Sequence, residues 1–418
     1  MTSTEQPVIS PEDRRVLRDL AHRVAEIGRG DEMARRRRRW KRHTAMDRSV
    51  RPVVYIDPQG SWDELIPPGL LRCREGWGRT VERELRQRIY LAEHFLSDNV
   101  IEAEWIVHKV IRSTGWGLTP RRKPSAAERG AFAFDPVVTD ARDLKKLRYP
   151  EVAHDEAATG REYERAADLL GDILDVRVKG TWQSIHLMNE WTALRGYDQV
   201  LADMYESPAL LHEAMAFLAE GHHRLRRQYV EQALLGLNND NSPIYTSGHG
   251  YTDELPRAGA DPARPAPADL WAWAEAQEMA VVSPEQHEEF VFQYERPLLA
   301  PYGLTGYGCC EDLTRKLHFV LTIPRLRRVS ICPWADVDAC ATQLGPAGVI
   351  FMWKPQPAHL VGTFDDDRIR TYIRHGVTAA KSHGCVLELA LLDTHTCEGR
   401  PERFDQWSRI VREEVEQW

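Results

Sequence analysis

The sequence predicts an α/β chain, a (β/α)8 barrel preceded by an N-terminal helical extension. Three observations predict it. Eight short apolar runs recur along the chain, helical segments fill most of the gaps between them, and polar residues cluster where the runs end. At 418 residues the chain is long enough for one large barrel or two average domains. We divide it into an extension, 1–49, and a barrel, 50–418. With 42% hydrophobic and 28% charged residues the composition is that of a folded chain and not a disordered one.

The extension reads as helix over residues 10–43. Ser10-Pro11-Glu12-Asp13 supplies an N-cap, a proline at the first helical position and acids in the first turn. The run of five arginines from Arg35 to Arg39 is read as a basic helix face that pairs with acids elsewhere. The strand candidates follow in order. "PVVYID" ends at Asp57, "NVIEAEW" at Trp105, "ILDVRVKG" near Lys179 and "ALLGLNND" at Asn238 and Asn239. "YGLTGYGCC" ends at Cys309 and Cys310, "RRVSICPW" at Cys332, "GVIFMWKP" at Lys354 and "CVLELALLD" at Asp393. The Gly-, Pro- and Asp-rich stretch after Asn238 is too long for an ordinary connection and is expected to be a lid or binding loop.

The net charge of -8 argues against nucleic acid and anionic membrane as partners. No apolar run reaches the roughly 18 residues of a membrane span, and the first residues lack a secretory pattern. Seven cysteines without a framework spacing lead us to expect a reducing, cytoplasmic setting.

Barrel chemistry is carried at the carboxyl ends of strands, so the candidates are read there. Cys309 and Cys397 carry the sulfur to hold zinc from opposite sides of a barrel mouth, with His395, His249 or Glu311 to complete the set. No CxxC or HExxH fixes that set locally, and buried inert thiols are the competing reading for Cys309 and Cys310. In "SGHGYTDELP" two glycines allow close backbone approach, and Tyr251, Asp253 and Glu254 offer acid–base groups alongside Asp57, with a turn followed by a Thr252 N-cap as the competing reading. Trp105, Trp182 and His186 are candidates to line a pocket, with core packing as the competing reading for Trp182 and His186. Arg177, Lys179 and Lys354 would hold carboxylates, with Asn238 and Asn239 beside them.

"TGYGCCEDLTRKLHFVLTIPRLRRVSICPWADVD", with "GHGYTDELP" and "SPEQHEEFVFQYERPLL" before it, resembles the uroporphyrinogen decarboxylase-like superfamily, and within it a bacterial branch. The similarity runs from about Arg51 to the C-terminus and implies a TIM barrel. The superfamily includes cofactor-free decarboxylases and zinc-dependent methyltransferases that work with corrinoid proteins. The decarboxylases carry an arginine loop after the first strand, where this chain has "YIDPQGSWDEL". On the methyltransferase pattern Cys309 takes the first cysteine position and Cys397 the second. Tyr307 stands where a histidine ligand is expected, leaving His249, Glu311, Cys310 or His395 to substitute. The resemblance thus implies a zinc-dependent methyltransferase-type enzyme that activates a thiol or heteroatom substrate, with a corrinoid protein as partner and a homodimer as the assembly. The competing expectation is a metal-independent decarboxylase or lyase acting on a carboxylate.

Overall fold

Seven parallel strands form the central sheet: β1 (Val53–Ile56), β2 (Ser184–Ile185), β3 (Trp271–Ala274), β4 (Leu304–Tyr307), β5 (Leu326–Ile331), β6 (Ile350–Trp353) and β7 (Val386–Leu391). Their order is β1-β7-β6-β5-β4-β3-β2, so neighbours in the sheet are neighbours in sequence and β7 returns to lie beside β1. This is the winding of an α/β barrel-like fold, with helices in the connections. The computed structural model describes residues 9–74, 76–123 and 132–418.

β1, β3, β4, β6 and β7 are buried along their whole length on both faces, as parallel strands covered by other elements are, while Ser184 of β2 and the first two residues of β5 are partly exposed. Alternate side chains divide between two cores. Val54, Ile56, Ala272, Val329, Phe351, Leu387 and Leu389 pack outward against helices Val337–Ala347, Asp366–Ser382 and Glu402–Val415. Val53, Tyr55, Ile350, Met352 and Ala390 face inward with Trp40 and Tyr251, and Trp271, Trp273 and Leu304 pack inward beside them.

Three expectations need correction. The 10–43 helix is two helices, α1 (Pro11–Arg29) and α2 (Asp31–Thr44), because Gly30 leaves the helical region at ψ 152. The Ser10 cap is present, its hydroxyl accepting from the Asp13 N–H at 3.0 Å. The runs ending at Trp105 and Lys179 do form strands, but they pair with each other as a separate parallel ribbon, Glu104–His108 with Asp175–Lys179. The run ending at Asn239 forms no strand. Leu235 makes one bridge, to Thr181, and β2 and β3 fill the sheet instead.

At those places side chains replace backbone pairing. Asn238 Oδ1 accepts from the Trp271 N–H at 3.0 Å while its Nδ2 donates to the Trp271 carbonyl at 3.1 Å. Asn99 does the same for Ile56 on the outer edge of β1, at 3.0 and 2.9 Å. Asp98 accepts from Val54 N at 2.9 Å, and its own N–H donates to the Val54 carbonyl. Buried edge groups that would cost about 1–3 kcal/mol each if left unpaired are thereby satisfied.

The arginine run is tied down by acids: Arg35 by Glu32, Arg37 by Glu102 and Arg39 by Asp98. At the amino end of the inner face, Arg328 and Glu388 form an ion pair at 3.1 Å with neither side chain exposed. Arg328 also donates to Ser247 Oγ at 2.8 Å and to the His249 carbonyl at 3.1 Å, and Glu388 accepts from Gly248 N at 2.7 Å. The 247–250 loop is therefore threaded against the inner face by buried charge.

Candidate active site

The carboxyl ends of β1, β2, β3, β4, β6 and β7 deliver the polar residues that meet around one rim. Gly308 turns the chain at the end of β4 at φ 101, and a Cβ there would also lie 2.8 Å from the Ser330 carbonyl, so glycine is required on both counts. Trp273 Nε1 holds the Gly308 carbonyl at 2.9 Å. The turn presents Cys309, buried, and Cys310, half-buried, with sulfurs 3.4 Å apart. That is well beyond the roughly 2.05 Å of a disulfide, so both are free thiols.

Lys354 follows β6 and continues its inward face. Its Nζ lies 4.0 Å from each sulfur and 3.1 Å from Asp393 Oδ2, and the whole side chain is buried. Asp393, just past β7, is 3.9 Å from the Cys310 sulfur, and its N–H donates to Gln59 Oε1 at 2.7 Å. Cys309 Sγ lies 3.6 Å from Gln277 Oε1.

The two thiols differ in acidity because they share one hydrogen bond. The Cys309 S–H donated to Cys310 lowers the Cys310 thiol, and the Lys354 ammonium adds to this against burial and Asp393. The same bond, with burial, raises Cys309. Burial works against the Lys354 ammonium, yet Cys309, Asp393 and Cys310 together hold it above its ordinary value. Of the two thiols, Cys310 is thus the one whose ionisation is favoured, by a neighbouring thiol and an ammonium.

Glu311 is fully buried, accepting from Cys309 N at 2.9 Å and Ala276 N at 3.4 Å. Burial first, then the nearby Glu275 carboxylate, push it up to about 7. Asp57, at the end of β1, is raised by burial, with Asp393 adding to the effect.

On the same rim His186 follows β2 and Glu275 follows β3. The pairing of Ile185 with Ala274 sets them side by side, and His186 Nδ1 lies 3.0 Å from Glu275 Oε1. His186 Nε2 is 2.8 Å from Ser184 Oγ. Glu275 also accepts from Tyr245 OH at 3.4 Å and from Gln277 N at 3.0 Å. Glu275, Tyr245, Gln277 and Gln59 were not singled out in the sequence. Glu275 sits after "WAWA", a strand too short and too rich in alanine to register as one.

Other candidates lie elsewhere. Tyr251 hydrogen-bonds Glu102, Asp253 pairs with Lys41 at 2.6 Å, and Glu254 pairs with Arg327 near the amino end of β5. Arg177 is held by Glu104 and Asp175, and Lys179 by Asp240 at 2.7 Å and Ser242 at 2.6 Å. Trp105 carries Arg88 over its ring, and Trp182 packs beside Trp271 and Trp273. Asn238 clasps Trp271, and Asn239 donates to the Leu255 carbonyl at 2.7 Å.

The expected zinc ligands do not come together. His249 has both nitrogens engaged, Nε2 accepting from Val100 N at 2.9 Å and Nδ1 donating to the Asn241 carbonyl at 2.6 Å, and burial pushes it down to about 4. The Cys397 thiol donates to Glu64 at 3.1 Å and is raised to about 11 by burial and that carboxylate. His395 is exposed beside Gly60. Among the described residues no three His, Cys, Asp or Glu side chains converge as a zinc site needs. The residues present do not fit that metal.

The chain is thus a mixed α/β protein whose parallel strands end on a thiol- and carboxylate-bearing rim. No family model matches it, and no curated protein matches it. Among solved structures, a methyltransferase from Methanosarcina mazei is similar with a TM-score of 0.49 and 10% identity, over 90% of this chain and 97% of that one.

Proposed function

We propose that the chain is a methyltransferase-type enzyme, built as a (β/α)8 barrel, that activates a thiol or other heteroatom substrate at the carboxyl-terminal mouth. The observation that carries this is the Cys309–Cys310 pair, 3.4 Å apart and sharing the Lys354 ammonium at 4.0 Å. Parallel sheets bind their substrates at this end.

The Cys310 thiolate takes the proton from the substrate's S–H, two thiols being close enough in acidity for easy exchange. The Lys354 ammonium then faces the substrate thiolate and offsets its charge in a buried setting. That thiolate attacks the methyl carbon. The new S–CH3 bond forms as the donor–CH3 bond breaks, and the bonding pair stays with the donor. The Cys309 S–H donated to Cys310 favours its anionic form between turnovers. A methylated corrinoid carried by a partner protein is the donor that the resemblance implies.

The test is methyl transfer from methylcobalamin to 2-mercaptoethanesulfonate or homocysteine, followed by the visible spectrum of the corrinoid and by mass of the methyl thioether. Turnover that falls at least tenfold in Cys310→Ser and in Lys354→Met is expected. Thioether formation no faster than in protein-free buffer, or unaltered by both substitutions, overturns the proposal.

A further inference from the structure

The rim holds a second arrangement that the thiol chemistry does not use. Ser184 and His186 are two residues apart across a strand end and so share one face, and sheet register sets Glu275 beside His186. The contacts run in one line. Ser184 Oγ lies 2.8 Å from His186 Nε2, and His186 Nδ1 lies 3.0 Å from Glu275 Oε1. Glu275 is an acceptor in its other contacts, from Tyr245 OH and the Gln277 N–H. The hydrogen of the imidazole therefore belongs on Nδ1, which leaves Nε2 to accept from the serine hydroxyl. A nucleophile and a base within about 2.6–3.2 Å, with the base oriented by a third group, is the pattern of an activated hydroxyl.

The surroundings support a reactive group over a packing one. Glu275 is 1% exposed, whereas Ser184 and His186 keep partial access to solvent. The Tyr245 ring lies over the His186 ring at 4.6 Å between centroids. Tyr245 holds that position with φ at 54, a left-handed conformation that is strained for a non-glycine residue. The fold thus accepts backbone strain to fix a ring against this imidazole.

We infer that Ser184, His186 and Glu275 form a nucleophilic hydroxyl centre that takes acyl groups from activated carboxylic esters. Ser184 Oγ bonds to the ester carbonyl carbon while its proton passes to His186 Nε2. The tetrahedral adduct collapses, the bond to the alcohol oxygen breaks, and the alcohol leaves with the proton from Nε2. Water then enters by the same route in reverse and releases the acid, restoring the serine. No oxidant, metal or cofactor is required. This centre does not depend on the thiol chemistry of Cys309 and Cys310.

The experiment is labelling of the full chain with a fluorophosphonate probe, with the site read by peptide mass spectrometry. Ser184 Oγ forms the bond to phosphorus as the P–F bond breaks, fluoride leaves, and the proton goes to His186. The expected result is a stoichiometric adduct on Ser184, with labelling slowed at least 100-fold in His186→Gln and at least tenfold in Glu275→Gln. No adduct on the wild-type chain, an adduct only elsewhere, or rates indifferent to His186→Gln overturn the inference. Because labelling of wild-type protein decides the first point, a variant that fails to fold does not rescue it. Because the label is read on Ser184 and methyl transfer on a thioether product, failure here and failure of methyl transfer are read separately.

Discussion

Replacing Lys354 with methionine tests the electrostatics of the thiol pair directly. At 4.0 Å and an effective dielectric near 20, an ammonium and a thiolate attract by about 4 kcal/mol. Asp393, itself paired with Lys354 at 3.1 Å, opposes this from 3.9 Å with a repulsion of about the same size. The two nearly cancel, and the S–H bond from Cys309 is left as the leading cause of the lowered thiol. Removing either charge unmasks the other. Because Cys310 is only half-buried, solvent screening cuts the unmasked term to about 1–1.5 kcal/mol, or about tenfold in thiolate population at neutral pH. Lys354→Met should therefore raise the Cys310 titration midpoint by about one unit and slow its alkylation at pH 7 about tenfold. Asp393→Asn should do the opposite, and the double variant should return close to wild type. The assay is the rate of iodoacetamide addition at Cys310 from pH 5 to 9, resolved by peptide mass. A Lys354→Met midpoint that stays where it was, or a double variant slower than the single, would refute the reasoning.

Glu311 protonates at about 7 in the fold but near 4.3 in an unfolded chain, so between those values the folded state holds the extra proton and stability falls as pH rises; urea titrations from pH 4 to 8 should show at most about 4 kcal/mol of such loss, absent in Glu311→Gln. Arg328→Met strands Glu388 in the inner core and should cost about 3–5 kcal/mol by denaturant unfolding, while Arg328→Met with Glu388→Met should recover more than half of it; additive losses would count against a coupled pair. Asn99→Leu leaves the Ile56 N–H and carbonyl unpaired, so about 2–4 kcal/mol of stability should go, and hydrogen exchange at the Ile56 amide should accelerate before exchange in β5 and β6 does.

Much of the fold was legible because the strands that close on two packed cores read as continuous apolar runs. β1, β4, β6 and β7 all fell inside runs picked out from the sequence, and β5 did so but for Leu326. β2 and β3 did not, since two residues and "WAWA" give no period to detect, and their place in the sheet is set by tertiary pairing. The rim chemistry followed the strands. Lys354, Cys309 and Cys310 were legible as residues at the ends of recognisable strands, whereas Glu275 was hidden with the strand that carries it. The glycines of "SGHGYTDELP" suggested close approach to a ligand. The approach is real, but what comes close is the protein itself: a Cβ at Gly248 would meet the Trp40 ring at 2.3 Å. A sequence marks where the backbone must come near something and leaves open what that something is.

The asparagines at the sheet margins carry a further consequence. Asn99 and Asn238 each offer a counterfeit peptide group, one donor and one acceptor on a side chain, to a strand that lacks a neighbour at that point. A counterfeit has no chain direction and no register beyond its own residue. The segments that bear it are therefore free to leave the sheet at once, and the chain after Asn238 does so, running to the 247–250 loop that Arg328 and Glu388 hold. Sheet continuity and loop variation, which ordinarily compete for the same backbone, are here assigned to different atoms.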